Sequence, residues 1–168
     1  MKKALLCCIA SCALWPAMAN ADGHLPFAPG EGAFSWDSYT AFAEDTDLTG
    51  QTLTISGPWT GAEKDKFEVV LAYFEAATGA QVQYSGSDSF EQDIVISARS
   101  GSAPNLAVFP QPGLAADLAS QGLLTPLPQD TADWVAQNYA AGQSWVDLAT
   151  YPGADGVSGF YGMFYRVD

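Results

Sequence analysis

Beyond Cys12 the sequence has no cysteine; its three thiols, Cys7, Cys8 and Cys12, all fall in the first twelve residues. The rest of the chain therefore offers no disulfide, thiol nucleophile or thiolate metal ligand. Histidine is almost as scarce. His24 is the single one, and it has no partners for a nucleophile–base–carboxylate triad. Lysine and arginine number 6 against 19 aspartates and glutamates, a net charge of −13. That balance argues against nucleic acid as a partner, because phosphate binding needs clustered cations. It argues equally against docking on an anionic membrane surface. Like charge of this size acts mainly through self-repulsion, which keeps a chain soluble. No glycine-rich loop ending in lysine is present to cradle a phosphate. The stretch Asp45–Gly50 resembles a calcium loop at its start. The glutamate such a loop needs at its end is replaced by Ser56, inside a predicted strand. Carboxylates are so widespread that no pair stands out as a glycosidase dyad.

Apolar and aromatic residues, by contrast, are plentiful. Hydrophobic residues make up 48% and aromatics 12% of 168 residues, enough for one domain with a core rather than a disordered chain. The opening has the order of an export signal: Lys2 and Lys3, an apolar run from Ala4 to Leu14, Pro16, then Ala17, Ala19 and Ala21. The run is shorter than the ~20 residues a membrane span needs. Cleavage after Ala19 or Ala21 is expected, with Ala21 preferred. Lipidation at Cys12, in Ile9-Ala10-Ser11-Cys12, is the alternative; it leaves a very short apolar region and strands Ala13-Leu14-Trp15 behind the cut.

Residues 22–50 read as an irregular arm, punctuated by Pro26, Pro29, Gly30 and Gly32. Phe27, Phe34, Trp36, Tyr39 and Phe42 anchor it on a surface, and a short helix is expected at 36–43. A regular order begins at Gln51. Thr52–Ser56 alternates as a strand. A helix is predicted over 61–78, with Phe67, Val70, Leu71 and Phe74 as its apolar face, Glu63, Asp65, Glu68 and Glu75 on the others, and Gly79 as its stop. Residues 80–84 form a second strand. Ser87 or Asp88 caps a helix running to about Ser100, and Asn105–Phe109 has the continuous apolar character of a buried parallel strand. Leu114–Gln121 forms a short helix. The βαβαβα order over 51–121 predicts an α/β fold with a parallel sheet. A helix at 131–141 and a final strand at about 160–167 follow.

These elements carry a resemblance. Gly57-Pro58-Trp59 after the first strand, the helix end Tyr73-Phe74-Glu75-Ala76-Ala77-Thr78-Gly79, the turn Gly101-Ser102-Ala103-Pro104-Asn105 and the helix exit Gln121-Gly122-Leu123-Leu124-Thr125-Pro126 stand in ordered spacing. Together they resemble the family 1 extracellular solute-binding proteins of ABC transporters. Asn105 stands where that family usually has aspartate. Phe27-Ala28-Pro29-Gly30, Phe109-Pro110-Gln111-Pro112-Gly113 and Tyr165-Arg166-Val167-Asp168 are most similar to the members that bind α-glucosides. The resemblance implies a periplasmic-binding-protein-like fold, of which this chain is a partial N-terminal lobe without the second lobe. The chain is thus expected to divide into a signal peptide (1–21), an arm (22–50) and an incomplete lobe (51–168). The resemblance also implies a periplasmic monomer that captures a sugar without cofactor or catalysis, and whose partners are that small molecule and the membrane permease subunits of an importer. With half the cleft absent, weak binding is expected.

In open α/β sheets ligands lie beyond the carboxyl ends of the strands. Trp59 and Thr60 follow the first strand, and Gln111 follows the third. A sugar packs its C–H face on a ring such as Trp59, while the Gln111 amide and the Thr60 hydroxyl match its hydroxyls. Arg166, with Asp168, is the further expected pair: an arginine in the cleft is able to fork onto two neighbouring hydroxyls, and a structural ion pair between strands is the alternative. Tyr84, Ser87 and Glu63 are secondary candidates that read first as surface residues. Two other functions stay open: a fragment of a secreted carbohydrate-active enzyme, which needs a carboxylate pair with one pKa raised, and the non-functional remnant of a truncated gene.

Overall fold

In the computed structural model, which describes residues 25–165, Thr52–Gly57 forms strand β1 and is followed by helix α2 over Gly61–Thr78. Helix α1, Asp37–Asp45, precedes them. The helix α2 ends where Gly79 takes a left-handed φ of 73° and its N–H returns to the Glu75 carbonyl, a conformation that suits glycine because it has no Cβ to clash. Strand β2 (Gln81–Gly86), helix α3 (Phe90–Ser100), strand β3 (Leu106–Ala107) and helix α4 (Pro112–Ser120) complete the expected βαβαβα series. The three strands make a parallel sheet in the order β2-β1-β3. The mixed α/β class and the parallel sheet expected from the sequence are both present.

Beyond α4 lie helices α5 (Gln129–Asn138) and α6 (Gln143–Leu148), then strands β4 (Thr150–Pro152) and β5 (Ser158–Phe160) in an antiparallel hairpin. Two apolar clusters hold the chain. Phe90, Ile94 and Leu118 join α3 to α4. Ala132, Val135, Val146, Ala149 and Phe160 join α5, α6 and the hairpin. Leu118 and Val135 are wholly buried. The arm lies on α2. Phe27, Phe34, Trp36 and Tyr39 pack ring to ring towards Tyr73, and Phe42 meets Phe74 at 6.2 Å.

Several expectations need correction. The third strand is two residues long, and Leu106 is 49% exposed rather than buried. Its place at the sheet edge explains this, because it pairs on one side only, with β1. The final strand is the three-residue β5, and residues 161–165 run on without strand structure. Only the residues facing the equally short β4 have a partner to pair with. Helix α6 carries no periodicity long enough to announce it. On α2, Val70 is 63% exposed; it sits at the margin of the apolar stripe, since three residues fall short of a full turn. Glu75, expected on a solvated face, instead accepts the Val82 N–H at 2.6 Å. Neither Ser87 nor Asp88 is the N-cap of α3; Ser89 holds that position. The Ser87 hydroxyl accepts the Ser89 N–H and donates to Asp93, while Asp88 accepts from Thr60.

Candidate ligand-binding cleft

Three parallel strands send three loops to one edge of the sheet. Pro58–Thr60 follows β1, Ser87–Ser89 follows β2 and Val108–Gln111 follows β3. Trp59 and Gln111 therefore stand at the same carboxyl edge, on the neighbouring strands β1 and β3. The β1 loop is fixed closely. Tyr84, buried on β2, accepts the Trp59 N–H at 2.9 Å and donates its hydroxyl proton to the Trp59 carbonyl at 3.2 Å. Burial raises the Tyr84 phenol above its ordinary pKa; the bond to the Trp59 backbone opposes this, and the charges of Tyr165, Glu68 and Glu63 add to the rise. The approach is possible because Gly57 and Gly86 lack side chains. A Cβ at Gly57 would meet the Tyr84 hydroxyl at 2.8 Å, and one at Gly86 would overlap the Trp59 carbonyl oxygen.

The Trp59 ring is half-buried between two others. Phe67 meets it at 4.7 Å and 61°, and Tyr165 at 4.9 Å and 89°. A hollow of about 480 Å³ opens there, lined by Trp59, Glu63, Lys66, Phe67 and Tyr165. A second groove of about 330 Å³ runs from Phe109 and Gln111 across to Trp145, Tyr151 and Tyr161, and Tyr165 lines this one too. Burial raises the Tyr151 phenol above its ordinary value. Tyr151 and Tyr161 stack at 6.1 Å and 16°. Proline, aromatic rings and one amide thus wall the groove, with no carboxylate among its lining residues. Among the described residues no group of three histidine, cysteine or acidic side chains can hold a metal ion.

The model of the family described as "Bacterial extracellular solute-binding protein" matches residues 58–168. The chain belongs to this family. Two curated relatives agree with that membership. The "Alpha-glucosides-binding periplasmic protein AglE" of Rhizobium meliloti (strain 1021) is 50% identical over 174 residues, which cover 100% of this chain and 38% of that protein. The "Osmoprotective compounds-binding protein GgtB" of Synechocystis sp. (strain ATCC 27184 / PCC 6803 / Kazusa) is 43% identical over 122 residues, or 72% of this chain and 27% of the relative. The chain thus spans less than two fifths of the length of these relatives. Both are named as binding proteins, not as enzymes.

In this chain the residues expected at the site are only partly gathered. Trp59 and Gln111 line the two hollows that Tyr165 separates. The Gln111 side-chain N–H donates to Glu91 at 3.1 Å, which fixes the amide plane. Thr60 turns away from both hollows and donates to Asp88 at 3.3 Å, bridging the β1 and β2 loops. Tyr84 holds the Trp59 backbone, and the Ser87 hydroxyl is taken up by the Ser89 N–H and the Asp93 carboxylate. Arg166, Asp168, His24 and the expected export signal (1–21) lie outside the described residues. Sequence reasoning missed Trp145, Tyr151 and Tyr161, because the chain folds back to the sheet edge only through the α6–β4–β5 turn. The Gly/Pro-rich stretch around Pro152–Gly159 was the available signal for that turn. No helix among the described residues is long and apolar enough to cross a membrane.

Proposed function

We propose that this chain forms one wall of a sugar-binding cleft in the periplasmic solute-binding component of an ABC importer, with an α-glucoside oligosaccharide as cargo. One observation carries the reading. A planar aromatic surface at Trp59 and an oriented amide at Gln111 share one edge of a parallel sheet, with a groove of about 330 Å³ walled by rings beside them. A sugar offers apolar C–H faces to such rings and hydroxyls to such an amide. The name of the 50%-identical relative supports the α-glucoside class. The protein acts by capture and not by chemistry, and it hands the closed, loaded form to the membrane permease subunits. Residues 1–21 serve as the export signal, residues 22–50 as an arm and residues 51–168 as part of the N-terminal lobe. Arg166 and Asp168 complete the ligand contacts.

Calorimetric titration with maltose and sucrose is expected to give a heat of binding that Trp59→Ala abolishes. No heat with either sugar would contradict the sugar reading. Heat unaffected by Trp59→Ala would remove Trp59 from the site. Nitrophenyl α-glucoside is expected to remain intact in the same solution; its turnover would favour an enzyme.

A further inference from the structure

The hollow over Trp59 contains two side chains that the groove beside Gln111 lacks. Glu63 and Lys66 lie three positions apart in the first two turns of α2, a spacing that puts them on one side of the helix. Both line the hollow of about 480 Å³ with Trp59, Phe67 and Tyr165. Among the described residues the one ion pair joins Lys64 to Glu68 at 3.5 Å, so neither Glu63 nor Lys66 is neutralised by another described side chain. The charge of Glu63 is felt at the Tyr84 phenol, which holds the Trp59 backbone.

Building on the sugar reading above, we infer that Glu63 and Lys66 read the hydroxyls of a second sugar ring, one that lies on Trp59 while Tyr165 divides it from the ring held beside Gln111. The chemistry of the pair suits a neutral polyol. A carboxylate only accepts hydrogen bonds and an ammonium only donates them, so together they fix both faces of a hydroxyl array. Their charges cancel, which favours neither an anionic nor a cationic guest. Hydrogen bonds to charged groups are the stronger kind, so an exposed hollow of this size still contributes to selection. The Gln111 groove, walled by more rings, takes the first ring; the Trp59 hollow takes the next. Specificity for a disaccharide over a monosaccharide then resides in Glu63 and Lys66.

The test is a titration of the ¹⁵N-labelled chain with maltose and with methyl α-glucoside, followed by NMR shifts. Glu63→Gln and Lys66→Met are expected to weaken maltose binding about fivefold each and to leave methyl α-glucoside binding unchanged. Lys66→Arg, which retains donors, is expected to keep most of the maltose affinity, and thermal unfolding of all three variants should match the parent. Unchanged maltose affinity in both Glu63→Gln and Lys66→Met overturns the inference while leaving the sugar reading intact. So does an equal loss for both sugars. Silence toward both sugars in the parent chain overturns the sugar reading itself, and the role of this pair with it.

Discussion

One phenol holds both backbone hydrogen-bonding groups of Trp59: the Tyr84 hydroxyl takes the Trp59 N–H at 2.9 Å and returns its own proton to the Trp59 carbonyl at 3.2 Å. Tyr84→Phe strips both partners from a half-buried peptide at negligible cost in packing volume. The expected loss is about 1–3 kcal/mol of unfolding free energy, measured by urea denaturation. The raised phenol pKa adds a pH signature. Its unfolded value is 10.0 and its folded value is higher, so the unfolded chain gives up the proton first. The contribution is whole below the unfolded value and is lost as pH rises through the folded one. The parent should therefore lose stability more steeply in the alkaline range than Tyr84→Phe does.

The close fit around that phenol makes Gly86 a sensitive position. Any Cβ there overlaps the Trp59 carbonyl oxygen, which is backbone and has little room to yield. Gly86→Ala is expected to push the β1 loop outward and destabilise the fold by about 1–3 kcal/mol. The accompanying readout is a change in the NMR shift of the Trp59 indole N–H. An alanine variant with parent stability and an unmoved indole signal would show that the loop has slack.

The parallel sheet was legible in the sequence because three segments announce themselves locally. Thr52–Ser56 and residues 80–84 alternate, and the helix between them ends at a glycine that takes a left-handed φ. The corrections share a different cause, which is that partners distant in sequence decide them. Leu106 reads as a core residue but lies at a sheet edge. Glu75 reads as a surface charge but ties α2 to the Val82 N–H. The Gln81 and Ser87 amides donate to the carbonyls of Gln51, just before β1, and Gly57, at its end, so the intervening even-numbered amides of β2 face away from β1, and Glu75 satisfies one of them. At the site, Trp59 and Gln111 followed from strand order alone. Trp145, Tyr151 and Tyr161 did not, because they arrive through a return of the chain that leaves no periodic mark.

Asn105 explains how so short a third strand stays in register. Its side-chain oxygen accepts both the Thr54 N–H and the Thr54 hydroxyl, each at 2.9 Å, and its own N–H donates to that hydroxyl oxygen at 3.0 Å. The accepting oxygen is all that Thr54 uses, so an aspartate carboxylate serves equally. Asn105→Asp is expected to leave stability within about 0.5 kcal/mol of the parent, the range of a benign substitution. Asn105→Ala is expected to cost about 1–2 kcal/mol in chemical denaturation. Equal losses in the two variants would mean that the amide nitrogen, and not the oxygen, matters.

A second phenol repeats the Tyr84 arrangement at the arm. Tyr73 on α2 accepts the Phe27 N–H at 3.1 Å and donates to the Phe27 carbonyl at 2.9 Å, while its own backbone carbonyl accepts from the Tyr39 hydroxyl at 3.1 Å. Phe27 and Phe34 are exposed at 44% and 58%, so little apolar burial backs these bonds at the start of the arm. The arm is then a local unit whose opening does not require the sheet to unfold. Tyr73→Phe is expected to speed hydrogen exchange at the Phe27 amide by roughly tenfold, as the loss of about 1.4 kcal/mol implies. Amides of β1 should keep their parent rates. Because Trp36 also packs on the Tyr73 ring at 5.8 Å, Tyr73→Ala should release both contacts and extend fast exchange to the Thr40 amide, which donates to the Trp36 carbonyl. Faster exchange reaching β1 in the phenylalanine variant would show that the arm and the sheet open together.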